Sequence, residues 1–146
     1  MRPHIDIVMM RIAVELAKRA TCPKRSVGCV LVDKWGKILA TGYNGVPCGV
    51  EHCTDTPCAG ANMPQGSDTC QAVHAEMNAL LMCSDVEKIN TCYCTCLPCN
   101  TCMKTLMNTG CKKLVVLSEN IEHLPTAFQM WSTDNRLILQ LSKGCL

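Results

Sequence analysis

Hydrophobic positions recur along the chain with two periods, and each period predicts one type of secondary structure. From Ile5 to Leu16 the apolar residues follow steps of three and four, which indicates one buried face of a helix. Short apolar runs bounded by turn-forming residues indicate strands, and the first two flank a turn at residues 33–36. Further helices are predicted at residues 75–83, 98–108 and 125–130, and strands at 27–32, 37–44, 91–96, 113–117 and 136–141.

The order of these elements predicts the fold class. A helix and a β-hairpin come first, and helices then alternate with strands. This order predicts an α/β fold with a mixed five-stranded sheet flanked by helices on both faces. Because 146 residues are enough for one domain and too few for two, residues 1–146 are predicted to form a single domain. Residues 45–71 follow no period, and a loop of that length needs something to organise it.

Composition narrows the classes of protein that remain. A net charge of +2 is too small to indicate a nucleic-acid-binding or membrane-surface protein. No apolar run reaches the roughly 18 residues of a membrane span, and the first residues lack the continuous apolar region of a signal peptide. The chain has 14 cysteines, so we expect a cytoplasmic protein whose thiols are reduced and partly bound to zinc.

Three side chains that suit zinc stand at the predicted starts of two helices. They are His74, Cys99 and Cys102, and three protein ligands leave a fourth position open, as in catalytic zinc sites. Helix N-termini favour thiolates there. Glu76 lies two residues after His74, where its carboxylate can transfer protons next to the metal. A structural zinc or redox motif is the alternative interpretation, and it gives Glu76 no role.

These motifs match the H-x-E and P-C-x-x-C signature of zinc-dependent nucleobase deaminases. Over roughly residues 7–116 the chain resembles the deoxycytidylate (dCMP) deaminase family of the cytidine deaminase-like superfamily. The matching segments are residues 21–23, 27–28, 42–47, 51–53, 74–80 and 95–99. The resemblance implies a cytidine deaminase-like fold and hydrolysis of dCMP to dUMP and ammonia, which feeds dTMP synthesis. It also implies that zinc-bound hydroxide attacks C4 of the cytosine while Glu76 shuttles the proton.

The resemblance further suggests residues that contact the substrate. Asn44 matches an asparagine that hydrogen-bonds the sugar, although Asn44 before Gly45 is also ordinary turn chemistry. Lys24 and Arg25 are candidate contacts for the 5′-phosphate, or else solvated charges. Ala75, between the first ligand and the glutamate, is a further substrate-binding candidate.

The remaining cysteines have two expected roles. Relatives with similar spacing carry a second, structural zinc, which here would be held by Cys22, Cys53, Cys58 and Cys70. His52 or Cys48 is an alternative ligand, and free thiols in a substrate loop are the competing interpretation. By contrast, Cys92, Cys94 and Cys96 alternate along one predicted strand and are expected to be small buried hydrophobes.

Alternatives to a dCMP deaminase stay open at this point. A bifunctional dCMP/dCTP deaminase, a free cytidine or cytosine deaminase and a tRNA adenosine deaminase would share the zinc site. The low net charge argues against the tRNA enzyme, and Glu76 argues against an inactive zinc-binding, nucleotide-sensing module. The resemblance also implies a homo-oligomer, often a hexamer, with dCTP and dTTP as allosteric effectors.

Overall fold

A mixed sheet forms the centre of the molecule, which the computed structural model describes over residues 1–64, 69–120 and 126–146. Within these residues the sheet has five strands in the order β2-β1-β3-β4-β5. The elements are α1 (Ile5–Ala17), β1 (Gly28–Val32), β2 (Ile38–Tyr43), α2 (Ala75–Met82), β3 (Thr91–Cys94), α3 (Asn100–Met107), β4 (Lys113–Leu117), α4 (Ala127–Thr133) and β5 (Leu137–Leu141). The predicted element order and the predicted mixed sheet are therefore confirmed.

The strand directions follow from the connections between the strands. Strand β1 pairs antiparallel with β2, because a hairpin joins the two strands, and it also pairs antiparallel with β3 on its other side. Strands β3, β4 and β5 run parallel to one another, because α3 and α4 provide the crossover connections. No helix among the described residues is long and apolar enough to cross a membrane.

Helices cover both faces of the sheet, as predicted. Alternate residues of β3 point to opposite sides, so Cys92 and Cys94 lie in the core beneath α2, α3 and α4, whereas Tyr93 lies in the core beneath α1. Two strand glycines let the helices approach closely. A Cβ atom at Gly28 would lie 1.9 Å from the Ala13 carbonyl oxygen of α1, and one at Gly42 would lie 2.3 Å from the Ala75 carbonyl oxygen of α2.

Most predicted boundaries agree with the structure to within one residue, and the larger differences are in β3, α3 and α4. Strand β3 ends at Cys94 and not at Cys96, although Cys96 stays buried in the same core as Cys92 and Cys94. Helix α3 begins at Asn100 and not at Pro98, because the backbone of Cys99 is still extended. Helix α4 runs from Ala127 to Thr133, and its predicted start at residue 125 lies outside the described residues.

A buried carboxylate joins α1 to the sheet on the face away from the other helices. Asp6 is 4% exposed and accepts hydrogen bonds from the Tyr93 hydroxyl at 2.6 Å and from Lys113 Nζ at 2.9 Å. Burial alone would raise the pKa of Asp6, but the bonds from Tyr93 and Lys113 outweigh burial and leave that pKa below its ordinary value. The network therefore stabilises the folded state while Asp6 is ionised.

We expect the Asp6→Asn variant to lose about 2 kcal/mol of unfolding free energy at pH 7, because Lys113 and Tyr93 lose a charged acceptor. The folded-state pKa of Asp6 lies below its ordinary value of 3.8. The stabilisation is therefore fully present above that value and disappears as the pH falls through the lowered pKa. Urea unfolding of both proteins from pH 7 downwards tests this. Asp55→Asn, which changes an exposed carboxylate, is the matched control. Equal stabilities of wild type and Asp6→Asn at pH 7 would contradict the prediction.

Candidate active site

Two helix N-termini meet at one place and bring the predicted metal ligands together. His74 is the N-cap of α2, Cys99 is the N-cap of α3, and Cys102 lies in the first turn of α3. The Nδ1 atom of His74 is 3.5 Å from the Cys99 sulfur and 3.4 Å from the Cys102 sulfur. Among the described residues, this is the one group of three or more potential ligand atoms that lie within 4.8 Å of one another.

The separation of these ligand atoms fits a zinc ion. Tetrahedral zinc with ordinary bond lengths of about 2.3 Å to sulfur and 2.0–2.1 Å to nitrogen holds its sulfur and nitrogen ligands about 3.5 Å apart. The two nitrogen–sulfur distances in the structure have this value within 0.1 Å. One imidazole and two thiolates also form a ligand set that zinc prefers.

Hydrogen bonds among the three ligand side chains change their pKa values. A hydrogen bond from the Cys102 thiol, assisted by His74, lowers the pKa of Cys99 to about 3. The same bond and burial raise the pKa of Cys102. The pKa of His74 is raised chiefly by its hydrogen bond with Cys99. One sulfur is therefore a thiolate at neutral pH, and a bound metal cation would displace the proton from the second sulfur.

Glu76 is the buried acid of the site. It is the second residue of α2, it is 4% exposed, and its Oε1 atom lies 3.3 Å from the Cys94 sulfur. Burial raises the pKa of Glu76, because the carboxylate has lost most of its contact with water. Its charge also contributes to the raised pKa of Cys102, after the larger effects of Cys99 and burial. A carboxyl group with a raised pKa beside a metal can both accept and return a proton.

The predicted sugar contact has structural partners. Asn44 is 6% exposed, its Oδ1 accepts a hydrogen bond from the backbone N–H of Val27, and its Nδ2 donates to the carbonyl of Arg25, both at 2.8 Å. Asn44 therefore fixes the segment before β1. Its carbonyl oxygen and its amide group each retain capacity for one further hydrogen bond, so a substrate contact stays a prediction.

The two residues predicted to contact the phosphate, Lys24 and Arg25, have different surroundings in the structure. Lys24 donates hydrogen bonds to the carbonyls of Gly60 and Met63, so its ammonium group holds the long loop in place. Lys24 therefore organises the loop, a role that its position in the sequence does not predict. Arg25 is close enough to His74 for its positive charge to oppose in part the rise that Cys99 causes in the pKa of His74.

Ala75 is placed where a backbone contact is possible. It is the first residue of α2 and is fully buried, between the His74 ligand and Glu76. Backbone N–H groups in a first helical turn have no partner within the helix. Any substrate contact by Ala75 therefore depends on its backbone.

The four predicted ligands of a structural zinc are only partly gathered. The backbone N–H of Cys58 donates to the Cys53 sulfur at 3.2 Å, and Cys22 is close enough to contribute to the pKa of Cys53, after larger effects from Cys58 and burial. The backbone of Cys70 packs against Gly60. These cysteines do not form a group of three sulfurs within 4.8 Å in the described part of the chain, so the second zinc stays a prediction.

Two contacts at the site were not predicted. The first is the Cys94–Glu76 contact, since the sequence indicates only that Cys94 is buried. The second is the side chain of Asn100, whose Oδ1 accepts a hydrogen bond from Ala127 N at 2.8 Å and so ties the metal-binding turn to α4. Asparagine beside the Cys-x-x-Cys motif was the available signal for the second contact, but its partner is 27 residues away.

Comparison with known proteins agrees with this geometry. Residues 3–118 match the family model of the cytidine and deoxycytidylate deaminase zinc-binding region. The deoxycytidylate deaminase of Schizosaccharomyces pombe is 40% identical over 120 residues, which are 78% of this chain and 37% of that protein. The deoxycytidylate deaminase of Mycobacterium phage D29 is 36% identical over 127 residues, which are 82% of this chain and 98% of that protein.

A solved structure extends the similarity to the whole fold. The dCMP deaminase of cyanophage S-TIM5, crystallised with dCMP and dUMP, superimposes with a TM-score of 0.71 at 26% identity. The alignment covers 97% of this chain and 99% of that one. The fold and the metal site together define the cytidine deaminase-like class of zinc proteins. Within that class, the chain belongs to the deoxycytidylate deaminase family. It spans less than two-fifths of the length of its two yeast relatives.

We expect the Glu76→Gln variant to unfold at higher temperature than wild type when both are metal-free at pH 7. A buried carboxylate whose folded-state pKa is raised stabilises the fold only below its ordinary pKa, and its ionisation costs stability as the pH rises. The neutral amide removes this cost, which we place at about 1–2 kcal/mol. Calorimetry at pH 7 and pH 4 measures the difference, which should shrink at pH 4.

Zinc provides the control for this experiment. A nearby cation stabilises ionised Glu76, so the advantage of the glutamine variant should decrease in the zinc-loaded proteins. An advantage that is the same with zinc and without it, or no advantage at pH 7, would contradict an uncompensated carboxylate at position 76.

Proposed function

We propose that this protein catalyses the hydrolytic deamination of dCMP to dUMP and ammonia. The observation that carries the proposal is the buried Glu76 carboxyl group next to three ligands spaced for zinc. The names of the phage and yeast relatives and the nucleotides bound in the cyanophage structure support the choice of substrate.

In this mechanism His74, Cys99 and Cys102 hold the zinc ion. Zinc, when bound, acts as a Lewis acid that lowers the pKa of water and makes hydroxide available near neutral pH. Glu76 accepts a proton from the attacking water and passes it to N3 of the cytosine ring. As the C4–N4 bond breaks, the proton of the new C4 hydroxyl passes through Glu76 to the amino nitrogen, so that ammonia leaves and the C4 carbonyl forms. The raised pKa of Glu76, caused by burial, suits a group that alternates between the two protonation states.

The substrate would be oriented by residues around this centre. Asn44 is suited to bind the deoxyribose through its spare hydrogen-bonding capacity. Arg25 supplies a positive charge that acts on His74, and it is the better candidate for the 5′-phosphate because Lys24 is bonded to the loop. Lys24 supports the phosphate site indirectly, because its bonds to Gly60 and Met63 fix the loop. Ala75 contributes its backbone at the start of α2.

A competition assay tests the substrate. Purified protein is mixed with dCMP, dCTP, deoxycytidine and cytidine, and chromatography follows the loss of each, with Glu76→Gln as the inactive control. We expect selective loss of dCMP and a fall of at least about 10³-fold in turnover for the glutamine variant, which keeps its zinc. Loss of dCTP as well would identify a bifunctional enzyme. No reaction, with or without dCTP as an activator, would overturn the proposal and make a tRNA anticodon arm the next substrate to test.

The proposal includes a second, structural zinc bound by Cys22, Cys53, Cys58 and Cys70. The contact between Cys53 and Cys58 and the proximity of Cys22 support it, because small movements of the loop would bring their sulfurs to a shared ion. An oligomer regulated by dCTP and dTTP completes the proposal, and its support is the family resemblance.

Elemental analysis of the purified protein should give two zinc ions per chain. Cys58→Ala should reduce this to one and leave the catalytic zinc, whereas Cys145→Ala, which alters an exposed cysteine near the C-terminus, should retain both. One zinc per chain in the wild-type protein would remove the structural site from the proposal.

A further inference from the structure

A buried thiol contacts the carboxyl group that would transfer the proton. The sulfur of Cys94, on β3, is 3.3 Å from Oε1 of Glu76, at the start of α2. Cys94 is fully buried and Glu76 nearly so. Across the sheet, Cys94 is paired directly with Cys29 of β1. The contact therefore joins the central strand of the sheet to the first turn of the catalytic helix.

The direction of this hydrogen bond is set by chemistry. The hydrogen bond runs from the Cys94 sulfur to Oε1 of Glu76, so the Cys94 thiol is the donor and the carboxyl oxygen is the acceptor. A bond with Cys29 lowers the pKa of Cys94, but burial and the charge of Glu76 outweigh it and leave that pKa above its ordinary range. Cys94 therefore keeps its proton at neutral pH and remains a donor.

The contact restricts a side chain that its helix alone does not fix. Glu76 has three rotatable side-chain bonds, and the position of α2 determines only its Cα and Cβ atoms. The Cys94 donor beneath Oε1 adds a fixed contact from the sheet to the carboxyl group, which also accepts a hydrogen bond from its own backbone N–H. Small errors in the position of a catalytic group reduce the rate strongly.

From this geometry we infer that Cys94 is a positioning residue, whose thiol orients the Glu76 carboxylate for proton transfer. The inference rests on the proposed deaminase function. It gives one of the buried cysteines a role beyond packing, and it distinguishes Cys94 from its neighbour Cys92. Cys92 lies on the same strand and in the same core, is equally buried, and has its sulfur 3.6 Å from that of Cys29.

Infrared spectroscopy of the zinc-loaded protein tests the hydrogen bond without any turnover. The difference between wild type and Cys94→Val isolates the S–H stretching band of Cys94, and the same difference is measured in the Glu76→Gln background. A thiol that donates to a carboxylate should absorb at lower frequency than the Cys92 thiol and should move to higher frequency in the glutamine background. A Cys94 band that does not move would overturn the inference.

Steady-state kinetics with dCMP test the positioning role. Valine keeps the volume of residue 94 and removes the donor, whereas serine loses volume and keeps a donor. We expect kcat to fall about tenfold in Cys94→Val with KM changed less than about twofold, and to recover to within about threefold of wild type in Cys94→Ser. Cys92→Val should keep the wild-type kcat. Zinc content and circular dichroism establish that each variant is folded.

Three outcomes would overturn the positioning role. They are a wild-type kcat in Cys94→Val, a serine variant no better than valine, and an equal loss in Cys92→Val, which would indicate packing alone. If the infrared bands behave as expected but wild-type protein does not deaminate dCMP, the proposed function is wrong and the hydrogen bond stands. The two failures can therefore be told apart.

Discussion

The site depends on how closely α2 lies against the sheet. At Gly42 a side chain would overlap the carbonyl of Ala75 and, at 2.6 Å, the backbone nitrogen of Ala79, so only glycine permits this packing. Asn78 fixes the same helix by donating to the carbonyl of Tyr43 at 2.9 Å. Since Ala75 lies between His74 and Glu76 in the chain, the position of this helical turn against the sheet places both side chains. Any residue larger than glycine at position 42 would move the ligand and the acid together.

Burying the ionisable groups of the site costs folding free energy. Burial raises the pKa of the Glu76 carboxyl group, and the Cys99 sulfur nearby has a lowered pKa. Two helix N-termini lie at this cluster and offset negative charge on it. A zinc cation removes the remaining imbalance, so metal binding and folding stabilise each other. On the opposite face of the sheet, a buried carboxylate has the opposite pKa shift. There Asp6 is buried with Lys113 and Tyr93 as partners, and its pKa is lowered and not raised. Asp6, paired with a cation, stabilises the structure, whereas Glu76 accepts a hydrogen bond from a thiol, has a raised pKa and is suited to proton transfer.

Sequence patterns predicted most of the fold because the signals are local. The periodicity of apolar residues located the helices and strands, and the H-x-E and C-x-x-C spacings located a ligand set that the structure brings within 4.8 Å. The predictions were less complete where distant segments meet. Lys24 was considered for the phosphate, but it bonds to carbonyls 36 and 39 residues away. The partners of Asn44 and Asn100 likewise depend on how the loops and helices pack, which no spacing in the sequence records.

In strand β3, core positions are occupied by cysteines, which can form hydrogen bonds as well as pack. With 3% aromatic residues, the chain fills the core beneath α2 and α3 with cysteines such as Cys92 and Cys94 together with aliphatic side chains and Trp131. Alternation along the strand then gives its two faces different chemistry. Tyr93 points to the charged network of α1, and Cys94 points to Glu76. An aliphatic residue at position 94 would pack as well but would offer the carboxylate no donor. A thiol fits an apolar core and can still form a weak hydrogen bond, so the same residue fills the core and contacts the acid.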